Sequence, residues 1–140
     1  LQCSWLSGIK MAGLADSRVT AVVAVSPPLR LLFEPSSADR LEAKLLLVSG
    51  SRDWVVPSGP EAIRPMSETG AAEKGHRLVL VDGADHFSLR SFRGEAQPAL
   101  MGPLMLGWLN EHLQVPGSPR FSQGGWGDQQ IQMVDVSERL

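Results

Sequence analysis

One cysteine, no excess of charge of either sign and no long apolar run are the first features of this 140-residue sequence. A lone Cys3 excludes an internal disulfide framework and any multi-cysteine metal site. A net charge of -2 supplies no electrostatic footprint for nucleic acid or for an anionic membrane surface. No apolar stretch approaches the roughly 20 residues that a membrane-spanning helix needs. The first residues, Leu1-Gln2-Cys3-Ser4-Trp5, lack an initiator Met and any basic segment leading into an apolar one, so they do not read as a signal peptide. They read as an interior cut, which leaves localisation unreadable. What is present, 43% hydrophobic and 20% charged residues, is the composition of an ordinary globular domain.

Three short apolar runs punctuate the chain. Val19-Thr20-Ala21-Val22-Val23-Ala24-Val25 stops at Ser26-Pro27-Pro28, Lys44-Leu45-Leu46-Leu47-Val48 at Ser49-Gly50-Ser51, and Arg77-Leu78-Val79-Leu80-Val81 at Asp82-Gly83. The runs are continuous rather than alternating, which suits strands buried on both faces of a parallel sheet. Helical stretches are expected at about residues 7–15, 59–70 and 97–113. Pro65 should interrupt the second, and Pro103 should kink the third or delay its start. Alternation of helix and strand predicts an α/β domain: three parallel strands with flanking helices and right-handed crossovers. The connection from Ser26 to Arg40, with Leu31, Leu32 and Phe33 as its apolar cluster, is a candidate cap. Residues 1–115 read as the domain, and 116–140 as a linker and partly ordered tail. Within that tail Ile131 to Val136 alternates apolar and polar residues and suits an edge strand. No internal repeat is present.

Reactive groups in a parallel α/β sheet gather beyond the carboxyl ends of the strands. Asp53 follows the second run and His86 follows the third, so adjacent parallel strands bring both to one edge. An Asp that accepts the imidazole Nδ1–H fixes the tautomer and leaves Nε2 free to take a proton from a nucleophile. Asp82 and Asp85, in the same turn as His86, read as turn and capping residues. His76 and His112 read as surface residues without metal-binding partners. Trp54 either lines an acyl pocket or, as the favoured alternative, packs on the last helix; Trp108 reads as core. Gly124-Gly125-Trp126-Gly127 lacks the strand–helix context of a phosphate loop.

These segments resemble the α/β-hydrolase superfamily. The stretch Leu45 to Pro57 is similar to the acid-bearing segment, in which a strand leads to Gly-x-x-Asp-x-x-Val-Pro. Leu80 to Ser88 is similar to the histidine segment, with its Gly-Ala-x-His-Phe turn, and Arg18 to Pro27 to the strand after the nucleophile helix. The branch most resembled is that of dienelactone hydrolases and chlorophyllase-like proteins, over about residues 7–113. The resemblance implies a partial hydrolase fold with Asp53 as triad acid and His86 as general base. It implies a serine-type hydrolase acting on a small-molecule ester or lactone, with no cofactor.

The family's Gly-x-Ser-x-Gly elbow relieves crowding around a strained serine. It has no counterpart here, because Gln2 and Leu6 flank Ser4 where both glycines belong. Ser4 and Cys3 are therefore poor nucleophiles, and the chain reads as a fragment lacking the elbow and the oxyanion hole. Such a fragment should be nearly inactive and should self-associate through an exposed sheet edge. A non-catalytic interaction module derived from a hydrolase is the alternative, as is another activity of the same triad, such as a peptidase or acyltransferase.

Overall fold

The computed structural model describes residues 16–32, 40–89, 101–126 and 132–140. Its frame is a four-stranded sheet: β1 (Ala21–Val25), β2 (Lys44–Gly50), β3 (Arg77–Val81) and β4 (Met133–Asp135), in the order β1-β2-β3-β4. The first three strands are parallel, with Val25 opposite Val48 and Val48 opposite Val79. The expected count of three strands is corrected by β4, which runs antiparallel along β3 with Leu80 opposite Val134. The alternating stretch near residue 131 can cover one face of an edge position. That position needs no run buried on both sides.

Strand periodicity divides the apolar runs between two cores. Leu46, Val48, Val79 and Val81 point to one face, where they meet Leu104, Trp108 and Phe121. Leu47 and Leu78 point to the other and meet Ala62, Met66 and Ala71. Both faces of β2 and β3 are covered, which is why these runs are continuously apolar.

A one-turn helix α1 (Leu29–Leu32) opens the connection after β1, and its Leu29 joins the second core. The Arg30 amide donates to the Glu61 carboxylate at 2.9 Å. Phe33 and the expected helix at 7–15 lie outside the described residues. The helix after β2 begins as a π turn, Gly59–Ile63, and continues as α2 (Arg64–Glu68). The cause lies in Pro65, which lacks an amide and whose ring would collide with a carbonyl four residues back in a regular helix. Widening the turn, with the Arg64 amide reaching Gly59 O, accommodates it.

Two further helices lie on the first face: α3 (His86–Leu89) and α4 (Met101–His112). Pro103 stands close to the start of α4, and residues 97–100 lie outside the described residues. Trp108 is 1% exposed, as a core residue should be. Its ring meets Phe121 edge-on with centroids 5.2 Å apart, and Phe121 in turn stacks on Trp126 at 4.9 Å. Beyond β4, the Ser137 hydroxyl accepts the Leu78 amide at 2.7 Å, so residues after 116 complete the pairing of β3. No helix among the described residues is long and apolar enough to cross a membrane.

The histidines away from α3 depart from expectation. His76 is 2% exposed. It sits just before β3, where its Nδ1 accepts the Leu45 amide at 3.1 Å and fills a position that a sheet carbonyl would otherwise take. His112 is half-buried, with its ring 4.1 Å from that of Trp108. Hydrogen bonding to a backbone group beside the sheet makes an imidazole a core residue, and single-residue spacing carries no sign of it.

Candidate functional site

The carboxyl ends of β2 and β3 lead into two loops that are laced together. The Ser51 amide donates to Val81 O at 3.0 Å, and the Arg52 amide to Ala84 O at 3.0 Å. The Ser51 hydroxyl donates to an Asp82 carboxylate oxygen at 3.0 Å and accepts the Gly83 amide at 2.8 Å. Gly50 permits this approach, because a Cβ there would lie 2.3 Å from Ala84 O. Gly83 turns the chain at φ 71°, a left-handed conformation that costs glycine little.

Asp53 and His86 meet across these loops. Asp53 Oδ2 lies 2.9 Å from His86 Nδ1. The carboxylate side chain is fully buried, whereas the imidazole keeps 12% of its surface exposed. Asp53 Oδ1 accepts the amides of Val55 at 3.0 Å and Val56 at 2.8 Å, an Asx-type turn that fixes the carboxylate plane. Burial pushes this carboxyl up, but the Val56 amide, His86 and the Ser26 hydroxyl more than offset it and hold its pKa below the ordinary value. An ionised carboxylate can only accept, so the imidazole hydrogen sits on Nδ1 and Nε2 is the free acceptor.

His86 is the first residue of α3, and Asp85 caps that helix. The Asp85 carboxylate accepts the amides of Phe87 at 3.0 Å and Ser88 at 2.8 Å, while the Ser88 hydroxyl accepts the Asp85 amide at 2.9 Å. This reciprocal arrangement fixes where the histidine leaves the backbone. The backbone and side chain of Ser88 hold the Asp85 pKa low. Asp82 and Asp85 therefore act as turn and capping groups, as their positions suggested.

The residues next to each partner face solvent. Trp54 is 73% exposed and Phe87 64%. The expectation that Trp54 packs on the last helix is not met, because the Asx turn that buries Asp53 directs its neighbour outward. Phe87 stands edge-on to the His86 ring, with centroids 5.8 Å apart.

No hydroxyl among the described residues reaches His86 Nε2. Ser51 and Ser88 are engaged in the turns just described. Ser4 and Cys3 lie outside the described residues. Ser26, which sequence reasoning treated only as the end of a strand, stands at the carboxyl end of β1 beside this pair. It is 5% exposed and has φ 45°, a left-handed conformation that costs a residue with a Cβ about 1–2 kcal/mol. A serine with positive φ between a strand and a helix has the outline of a nucleophile turn. Its hydroxyl is sealed from solvent, however, and Pro27 has no amide to donate to an oxyanion. The Ser-Pro-Pro sequence at a strand end was the available signal for Ser26.

A separate cavity of about 250 Å³ opens at the opposite end of the strands, between Arg77, Glu111, Phe121, Trp126, Asp135 and Glu138. Neither Asp53 nor His86 lines it. Among the described residues no group of three or more His, Cys, Asp or Glu is placed to hold a metal ion.

No protein-family model matches this chain, and neither the curated proteins nor the solved structures contain a significant match. Residue chemistry and geometry therefore carry the functional reading.

Proposed function

We propose that Asp53 and His86 are the acid and general base of a serine-type hydrolase acting on ester or lactone bonds, in a chain of α/β-hydrolase type. The observation that carries this reading is the 2.9 Å contact between a buried, ionised carboxylate and a partly exposed imidazole beyond adjacent parallel strands. In the reaction a nucleophile outside the described residues attacks the carbonyl carbon. His86 Nε2 takes the nucleophile's proton and returns it to the leaving alcohol, and water then releases the acyl group by the same route. Asp53 holds the Nδ1–H tautomer and stabilises the imidazolium while it exists. A pair with this geometry can also draw a proton from water directly, at a much lower rate.

Hydrolysis of p-nitrophenyl acetate by the full chain tests this reading. The comparison proteins are His86→Ala, Asp53→Asn and Ser4→Ala. Weak hydrolysis is expected, lowered by roughly a hundredfold in His86→Ala, the low end of a general base's contribution. Asp53→Asn is expected to lower it too, and Ser4→Ala to leave it unchanged. Equal rates for the unaltered chain and His86→Ala would remove His86 as a base and favour a non-catalytic module. The exposed Trp54 and Phe87 would then be read as its contact residues. Loss of activity in Ser4→Ala would instead make Ser4 the nucleophile.

A further inference from the structure

Asp53 and His86 stand on different loops, so the aim of one at the other depends on how the loops are held together. Backbone contacts grip the histidine loop on either side of its turn: Val81 O accepts the Ser51 amide and Ala84 O the Arg52 amide, each at 3.0 Å. Between them lie Asp82 and Gly83, where packing supplies no restraint. Both residues are exposed, and a Cβ built on Gly83 would meet nothing within 4 Å. Gly83 stands at φ 71°, yet glycine populates both signs of φ about equally, so its own preference does not fix the turn. His86 follows only three residues later.

Ser51, from the acid loop, supplies the restraint. Its hydroxyl accepts the Gly83 amide at 2.8 Å and donates to the Asp82 carboxylate at 3.0 Å. An amide N–H can only donate and a carboxylate can only accept, so the group between them must do both, as a hydroxyl does. The Asp82 amide is held from the other side by Gln132 O at 2.9 Å. We infer that Ser51 is a positioning residue for the Asp53–His86 pair: its hydroxyl clasps the 82–83 peptide to the acid loop and so fixes the direction in which the chain runs to His86. Because the clasp is exposed, water can take over its hydrogen bonds when it is removed, at little cost in stability. Water cannot hold the two loops at a fixed separation. The purpose of the clasp rests on the hydrolase reading, but its effect on the pair can be measured without turnover.

The experiment uses the full chain carrying Ser51→Ala, Ser51→Thr or Asp82→Ala. Each is compared with the parent in three readouts: exchange of the His86 Nδ1 proton with water, followed by NMR; the thermal midpoint; and hydrolysis of p-nitrophenyl acetate. Ser51→Ala is expected to speed the exchange about fivefold, the factor that one hydrogen bond of ordinary strength represents, with a thermal midpoint close to the parent's. Ser51→Thr keeps the hydroxyl and should restore slow exchange. Asp82→Ala removes one of the two bonds and should lie between. Where the parent hydrolyses the ester, Ser51→Ala should slow it by a similar factor. Unchanged exchange in Ser51→Ala overturns the inference, as does a Ser51→Thr protein that exchanges as fast as Ser51→Ala. A parent whose Nδ1 proton is already in fast exchange also overturns it, since a clasped pair protects that proton. Should Ser51→Ala fail to fold, Asp82→Ala decides the matter by the same criterion. His86-dependent hydrolysis with an exchange rate that ignores Ser51 would defeat the positioning role and leave the hydrolase reading standing. A parent without hydrolysis whose Nδ1 exchange still responds to Ser51 would do the reverse.

Discussion

His76 and His86 are the same side chain put to opposite uses by their surroundings. His86 gives Nδ1 to a carboxylate and keeps its other nitrogen available. His76 accepts a backbone amide at Nδ1, so its hydrogen sits on Nε2, which is buried without a partner among the described residues. Burial, followed by the charges of Lys44 and Lys74, pushes the His76 pKa below its ordinary value. The pH dependence follows in sign from that direction. The unfolded chain takes up a proton at about pH 6.5, before the folded chain does. The stability contributed by neutral His76 is therefore complete above that pH and is lost as the pH falls toward the folded-state value. His112, depressed mainly by burial, contributes with the same sign. Urea midpoints should accordingly drop between pH 7 and pH 5. In His76→Asn, whose amide oxygen can accept the Leu45 amide without titrating, the drop should be smaller, although His112 preserves part of it. An unaltered slope in that variant would show that His76 does not titrate with folding.

At the scale of elements, the ends of strands do what their middles cannot. The middles of β2 and β3 are interchangeable apolar surface, but their last residues set two loops in contact. Gly50 is the tightest point of that contact, with the Ala84 carbonyl lying where a Cβ would be. The obstruction is backbone, so a flexible side chain cannot relieve it. Gly50→Ala is expected to cost about 1–3 kcal/mol in denaturant unfolding. It should also separate the acid loop from the histidine loop, seen as loss of the protected His86 Nδ1 proton at a pH where the chain remains folded. A variant that unfolds earlier yet retains that proton would mean that the loops meet independently of this contact. Helix α3 works on the same principle in a smaller space: four residues suffice because Asp85 and Ser88 cap them reciprocally.

At the scale of the whole molecule, β1 and β4 are the outer strands of the sheet, each with one strand neighbour among the described residues. The short antiparallel β4 covers β3 on one side. On the other side β1, with the sequence Ala-Val-Val-Ala-Val, has β2 as its sole strand neighbour among the described residues. An apolar edge with unpaired amides and carbonyls invites pairing with another chain. Light scattering at tens of micromolar should therefore report species larger than the monomer. Val22→Lys, a charge on β1 at a position in neither core cluster, should shift the population toward monomer. A parent chain that stays monomeric over that range would mean that this edge is covered in solution.

Continuous apolar runs in Leu45–Val48 and Leu78–Val81 were enough to specify buried parallel strands, because only strands covered on both faces tolerate them. Chain order and strand ends were likewise enough to pair Asp53 with His86, since adjacent parallel strands deliver their following loops to one edge. Asp82 and Asp85 were legible as turn and cap because Asp beside Gly, or before a helix start, has few other uses. Tertiary structure alone decided the rest. The burial of His76 depends on an amide of a neighbouring strand, Leu45, 31 residues away in the chain. The exposure of Trp54 follows from which way an Asx turn directs the next side chain. The left-handed backbone of Ser26 and the burial of its hydroxyl likewise follow from where the end of β1 meets β2, not from local pattern. Local pattern encodes which face of an element is apolar. Which polar atom meets which other is settled only when distant loops are brought within hydrogen-bonding distance.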